Sequence, residues 1–340
     1  MPLLVDQSLP DLQAYAAAQG WPAYRAGQIY SWLSRGVPSI AAMSDLPKTI
    51  RECLSRDFLL DGLTLEQRLV SALDQTTKYV FRLHDGNVIE SVLMSYKHGY
   101  SVCISSQAGC RMGCTFCAST GAGFGRNLSH GEMQAQVQRI AADLGARISH
   151  VVVMGIGEPL DNYAALLAFL KAANDPAGLN ISLRHIAVST CGLIPEMLKF
   201  TDEGLPVALS VSLHAPNDAI RRRLMPIAGR YPLDDLLAAC RRHTERTGRR
   251  ISFEYSLFAG INDQPDHARE LARRLRGMLC HVNLIPANEF PGGPYRQSDR
   301  SQIQLFQKIL IREGINATVR RELGADINAA CGQLRRRLEA

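Results

Sequence analysis

Apolar positions recur at helical spacing through the first sixty residues. Leu12, Tyr15 and Ala16 precede Gly20, then Ile29, Trp32 and Leu33 precede Gly36, and a third segment follows Pro47. This periodicity, closed by glycine, predicts short helices, so residues 1–60 read as a small all-α unit. The texture then changes to β-patterned runs at Leu63 to Leu73, Tyr79 to Leu83 and Val88 to Met94. Asp85-Gly86-Asn87 supplies a hairpin turn, and residues 61–99 become a short β-hairpin extension.

From about Tyr100 strand and helix patterns alternate. The expected strands are Ser101 to Ser105, His150 to Met154, His185 to Ser189, Val207 to Ser212, Ile251 to Tyr255, His281 to Ile285 and Ala317 to Arg321. Between them lie amphipathic segments: Glu132 to Leu144, Asn162 to Ala172, Leu233 to Thr244, His267 to Leu275 and Ile303 to Arg312. Repeated β/α units predict a parallel sheet with helices outside, here a partial (β/α)6 barrel over residues 100–340. In such folds the site lies at the C-terminal ends of the strands.

Length and composition allow one large core with small appendages, at 340 residues and 46% hydrophobic content. No stretch approaches the roughly 20 apolar residues of a membrane span, and Met1 to Pro10 has no signal-like pattern, so a cytoplasmic, membrane-free protein is expected. The net charge is +6, with arginine clustered at Arg221 to Arg223, Arg241 and Arg242, Arg249 and Arg250, and Arg335 to Arg337. Such clusters meet a polyanion such as RNA or form solvated helix faces.

Nine cysteines in a cytosolic chain do not suggest a disulfide framework; clustered ones suggest metal or catalysis. Cys53, Cys191, Cys240 and Cys280 stand alone and read as small buried hydrophobes. By contrast, Gly109-Cys110-Arg111-Met112-Gly113-Cys114-Thr115-Phe116-Cys117 places three thiols in C-x3-C-x2-C spacing after a strand. One loop can then wrap one iron-sulfur cluster, and three ligands leave one iron open to a cofactor. The alternative is a zinc site completed by a distant Cys or His.

With Phe116 beside the last cysteine, this motif resembles the radical S-adenosylmethionine superfamily. The resemblance implies that Cys110, Cys114 and Cys117 hold a [4Fe-4S] cluster whose open iron binds S-adenosylmethionine. The run from Val151 to Leu160, containing Gly157-Glu158-Pro159, looks like the superfamily's cofactor-amine segment. Further strand ends carry Ser189-Thr190-Cys191-Gly192, Ser212-Leu213-His214-Ala215-Pro216-Asn217 and Ile285-Pro286-Ala287-Asn288. Together these resemble the RlmN/Cfr family of rRNA adenine methyltransferases. By that resemblance Gly157, Glu158, Ser189, Ser212, Leu213, His214 and Asn288 bind S-adenosylmethionine.

The segment Asp326-Ile327-Asn328-Ala329-Ala330-Cys331-Gly332-Gln333-Leu334 is the most specific match. The family implies that Cys331 carries the transferred methyl, Cys103 is the second catalytic cysteine and Glu90 is a proton acceptor. It also implies two S-adenosylmethionine molecules per turnover and a transient disulfide. A reductant such as flavodoxin or ferredoxin would reopen that disulfide. Tyr24 to Tyr30 with Trp32 looks like the family's accessory RNA-binding unit. The expected reaction is methylation at carbon 2 of an adenine in 23S rRNA by a monomer, with tRNA as a further candidate substrate. Alternatives are Cfr-like methylation at carbon 8, a radical activase, and a non-catalytic iron-sulfur RNA-binding protein. Ile156 and Ala287 depart from the family pattern, and only nine residues follow Cys331 where many relatives have a longer basic tail.

Overall fold

A computed structural model describes residues 1–121, 123–289 and 293–334; the Arg335 to Arg337 cluster lies outside them. Helices α1 (Leu9–Ala18), α2 (Tyr24–Arg35) and α3 (Lys48–Asp57) form the N-terminal unit. Ser8 and Asp11 build a reciprocal capping box on α1, with Pro10 in its first turn, and α2 stops at Gly36 with φ 80°. Leu12, Ala16, Ile29, Leu33, Ile50 and Leu54 give this unit a core of its own.

The chain then forms β1 (Leu63–Val70), β2 (Thr77–Leu83), β3 (Val88–Tyr96) and β4 (Gly99–Cys103), each antiparallel to the last. A small two-stranded sheet of β5 (Gln107–Gly109) and β6 (Phe124–Asn127) follows, which the sequence pattern did not predict. The alternating region is α4 (His130–Leu144), β7 (Ile148–Val153), α5 (Tyr163–Ala173), β8 (Ile186–Thr190), α6 (Ile194–Asp202), β9 (Ala208–Ser212), α7 (Asp218–Leu224) and α8 (Leu233–Thr247). It continues with β10 (Ile251–Leu257), α9 (Pro265–Leu275), β11 (Cys280–Pro286), α10 (Arg300–Arg312) and β12 (Ala317–Val319). Strand order is β1-β2-β3-β4-β7-β8-β9-β10-β11-β12, and every pair from β4 onward is parallel. Among the described residues the core is therefore six β/α units ended by a seventh short strand, and the hairpin extension continues the same sheet.

Pairing fixes which face each side chain takes. Cys103 pairs with Val152, Val152 with Ala187, Ala187 with Ala208, Ser212 with Glu254, Glu254 with Asn283, and Asn283 with Thr318. The alternate positions Val102, Val151, Val153, Val188, Val211, Phe253 and Val282 are fully buried in the main core. The sheet's outer face is thus apolar and covered, while its inner face is small and polar. That division leaves a polar lumen inside the partial barrel.

One ion network ties the hairpin turn to α4. Arg126 bonds Asp85 in the β2–β3 turn and makes a bidentate pair with Glu132 (2.7 and 2.7 Å) in the first turn of α4. Burial pushes the Asp85 carboxyl up, but Arg126 and Asn87 outweigh it and hold it at about 2. Because this lies below the unfolded value near ~4, the stabilisation is complete above that value and is lost as pH falls through about 2. Asp85→Asn is expected to cost about 1–2 kcal/mol at pH 7. Urea titrations from pH 6 downward should show the two proteins converging as the acid limb is reached.

Candidate active site

The loop after β5 begins at Gly109, whose φ of 86° and whose approach to Gly123 leave no room for a Cβ. Thr120 Oγ1 donates to the carbonyls of Cys114 and Cys117 (3.2 and 2.8 Å), and Thr115 N donates to Leu224 O (3.0 Å), which fixes the loop against α7. Cys110, Cys114 and Cys117 all line one cavity of about 160 Å³ at the C-terminal ends of the barrel strands. Burial pushes all three thiols up. Among the described residues no three Cys, His, Asp or Glu converge on a point that one metal ion could occupy. Three thiols around a cavity suit a polynuclear cluster better than a lone zinc ion.

The other walls of that cavity come from successive strand ends. Gly157, Glu158, Ser189, Ser212, His214 and Asn288 all line it. Glu158 accepts from Leu160 N (3.1 Å) and Cys191 N (2.8 Å), so its carboxylate is aimed by two amides and keeps lone pairs for an ammonium group. Gly157 has φ 111°, and a Cβ there would lie 2.6 Å from Gln107; the glycine is required by the neighbouring chain as well as by the cavity. His214 sits at φ 53°, held because Asn262 Nδ2 donates to its carbonyl (2.8 Å) while Ser256 N donates to its Nδ1 (2.9 Å). The acceptor role of Nδ1 makes the ring the neutral Nε2–H tautomer, and burial with the nearby Arg221 charge pushes its pKa down to about 3. Phe116 packs edge-on against this ring at 4.8 Å. Leu213 differs from the rest: its side chain is fully buried in the core, and its N donates to Glu254 O (3.0 Å).

The C-terminal segment crosses the mouth of the barrel. Asp74 accepts from Gly324 N (3.0 Å), Asp326 accepts from Ala72 N (2.9 Å), Ala118 N donates to Gly332 O (2.8 Å), and Asn288 Nδ2 donates to Cys331 O (3.0 Å). These bonds bring Cys331 to the wall of the cavity that holds the three thiols. A second, adjoining cavity is lined by Cys103, Val92 and Cys331, so the two distant cysteines share one space. Both are free thiols. Burial and Cys331 push the Cys103 thiol up to about 12, while Arg320 opposes the shift.

Comparison with known proteins agrees with this geometry. Residues 104–272 match the Radical SAM superfamily, and residues 3–59 match the Ribosomal RNA large subunit methyltransferase N-terminal domain. A probable dual-specificity RNA methyltransferase RlmN from Clostridium tetani is 48% identical over 334 residues, covering 98% of this chain and 96% of the relative. One from Geobacillus kaustophilus is 50% identical over 339 residues, covering 98% and 93%. The chain belongs to the RlmN family of radical SAM RNA methyltransferases. A crystal structure of a radical SAM methyltransferase from Sphaerobacter thermophilus superposes with TM-score 0.94 at 45% identity, covering 98% of this chain and 99% of that one. Membership carries with it a [4Fe-4S] cluster and S-adenosylmethionine as cofactors, and RNA as the substrate class. No helix among the described residues is long and apolar enough to cross a membrane.

Within this RlmN-family site, Glu90 lines neither cavity. It lies on β3 two residues from Val92, which pairs with Cys103, and its carboxylate is 3.2 Å from Lys78 Nζ. Both side chains are less than 8% exposed. Lys78, Glu254 and Arg320 are polar members of the inner sheet face that sequence reasoning passed over. Two sequence readings need correction. Arg221 is fully buried and donates to Cys191 O (2.8 Å), so it belongs to neither a polyanion surface nor a solvated face. Cys191 is buried but lines the cavity, and Cys53 is only half-buried; Cys240 and Cys280 are buried as expected.

Proposed function

We propose that this chain methylates carbon 2 of an adenine in 23S rRNA, with tRNA as a second substrate, through a methyl group carried on Cys331. What supports the reading is the meeting of Cys331 and Cys103 in one cavity beside the three thiols of the cluster motif. An aromatic ring carbon is no nucleophile toward S-adenosylmethionine, whereas a cysteine sulfur is. Cys110, Cys114 and Cys117 would hold the cluster and the strand-end residues S-adenosylmethionine, which together would supply a methyl group for Cys331 and a radical able to abstract a hydrogen atom from that methyl. Two cofactor molecules per turnover follow from these two uses.

The chain's own residues do the rest. Asn288 holds the Cys331 main chain, Glu158 offers its carboxylate to an ammonium, and His214 presents a neutral ring. Leu213 would contact the cofactor through its main chain. The carbon on Cys331 bonds to ring carbon 2, and the unpaired electron left on the ring passes to a one-electron acceptor of the iron–sulfur class. The ring proton goes to Cys103 or Glu90. Cys103 sulfur then bonds to Cys331 sulfur. The breaking carbon-sulfur bond leaves its electron pair on the new methyl carbon, which takes up a proton. A flavodoxin- or ferredoxin-like reductant reopens the disulfide.

In the same reading residues 1–60 are an RNA-binding unit, 61–99 an extension, and 100–340 the catalytic core of a cytoplasmic monomer. The test is anaerobic reconstitution, reaction with a 23S rRNA fragment and with tRNA, and mass spectrometry of the digested RNA. 2-Methyladenosine is expected. Only 8-methyladenosine would overturn the position assigned, and no methylated RNA would overturn the reading.

A further inference from the structure

We propose that Arg320 grips the substrate adenine, donating hydrogen bonds from its guanidinium to a ring nitrogen beside the carbon that receives the methyl. This rests on the reading of Cys331 as the methyl carrier at carbon 2. Three observations carry it.

The first is position. Arg320 directly follows β12, where its N donates to Leu284 O (2.8 Å), and the pleat turns its side chain to the inner sheet face with Thr318. Six residues line both the cluster cavity and the Cys103 cavity: Met154, Ile285, Asn288, Arg320, Cys331 and Leu334. Arg320 alone among these six is charged. A base brought to the Cys331 sulfur in this space meets that guanidinium.

The second is hydrogen bonding. Arg320 forms an ion pair with Glu254 at 4.0 Å, too long for a hydrogen bond, and its guanidinium donates to no protein acceptor among the described residues. Glu254 instead accepts from Asn283 Nδ2 (2.7 Å). Arg221 shows the contrast, since it is fully buried and spends a donor on the Cys191 carbonyl (2.8 Å). The Arg320 side chain is 27% exposed, facing a cavity, with its fork of donors available. A cation left so is placed for a ligand.

The third is chemical fit. Adenine carbon 2 is flanked by N1 and N3, which are acceptors only. When carbon adds at that position, the new bond takes one ring π electron, and the unpaired electron left behind is shared with those nitrogens. Donors aimed at them stabilise the electron-rich ring as it forms. Arginine keeps its charge and its fixed fork at every relevant pH.

The experiment uses the reconstituted holoenzyme, an RNA hairpin with one target adenosine, and the same hairpin carrying 1-deazaadenosine or 3-deazaadenosine there. Arg320→Gln and Arg320→Lys are compared with wild type by three readouts: mass of the methylated Cys331 peptide without RNA, 5′-deoxyadenosine released, and methylated RNA. Arg320→Gln should lower kcat/KM for RNA by on the order of 10²-fold, while Cys331 methylation stays near wild type. Arg320→Lys, which keeps the charge but loses the fork, should recover little of it. One of the two deaza hairpins should cost the wild type a similar factor and cost Arg320→Gln nothing further. Losses that multiply across variant and analogue would overturn the contact, as would Cys331 methylation falling in step with RNA methylation. Wild type that makes 2-methyladenosine alongside a fully active Arg320→Gln removes the role of Arg320 alone. Wild type that never methylates carbon 2 removes the underlying reading, and the proposal with it.

Discussion

Cys331→Ala is expected to reduce RNA methylation by at least ~10⁴-fold while leaving the folded protein and its iron content intact. The sulfur is the only protein atom in the proposed route that bonds to the transferred carbon, so no neighbour can replace it. Its removal should nonetheless be structurally mild. The segment is held by main-chain and flanking groups: Asn288 bonds the Cys331 carbonyl, Gln333 Nε2 donates to Glu289 O (2.7 Å), and Ser119 Oγ donates to Leu334 O (2.8 Å). None of these needs the thiol. Reductive release of 5′-deoxyadenosine should therefore persist, uncoupled from RNA. Cys103→Ala makes the informative partner: if Cys103 only resolves the adduct, this variant should accumulate a covalent protein–RNA species visible on a denaturing gel. Full RNA methylation by Cys331→Ala would instead overturn the role of Cys331 as the methyl carrier.

Much of the fold was legible because each parallel strand alternates. Val151, Val153, Val188, Val211 and Phe253 face the helices, while Ser189, Ser212 and Glu254 face the lumen, and that period of two stands out against the helical spacing of α4 or α8. The three-thiol loop was equally plain, since its cysteines lie within eight residues, Cys110 to Cys117. What escaped was set by contacts distant in sequence. The strands Gln107–Gly109 and Phe124–Asn127 are too short to show a pattern, and they pair only because Gly109 can approach Gly123. Arg221 looked like one of three surface arginines; only the fold reveals that it reaches inward to the Cys191 carbonyl. Arg320 lay inside the expected strand Ala317 to Arg321 and drew no notice, because nothing in an Arg-Arg pair says which cavity either side chain will enter. Cys331 and Cys103 could be paired from the sequence only through family resemblance. The contacts that bring the Cys331 segment across the barrel, Asp74 to Gly324 and Asp326 to Ala72, link opposite ends of the chain.

Lys78→Met should lower stability by about 3–5 kcal/mol, the usual cost of removing one partner of a buried ion pair. Lys78 and Glu90 are diagonal neighbours on β2 and β3, since Lys78 pairs with Val92 and Val80 pairs with Glu90, and their charged ends are 3.2 Å apart. The variant leaves the Glu90 carboxylate buried without the cation beside it. It also removes the ammonium that reaches Asn328 O (3.4 Å), three residues before Cys331. A thermal melt should fall by roughly 4–7 °C. The double variant Lys78→Met/Glu90→Leu should recover much of that loss, because an apolar pair of similar size needs no desolvation of charge. Recovery of stability without recovery of RNA methylation would show that the Lys78–Glu90 pair serves the reaction as well as the fold. A Lys78→Met protein as stable as wild type would mean that the pair contributes no net stability.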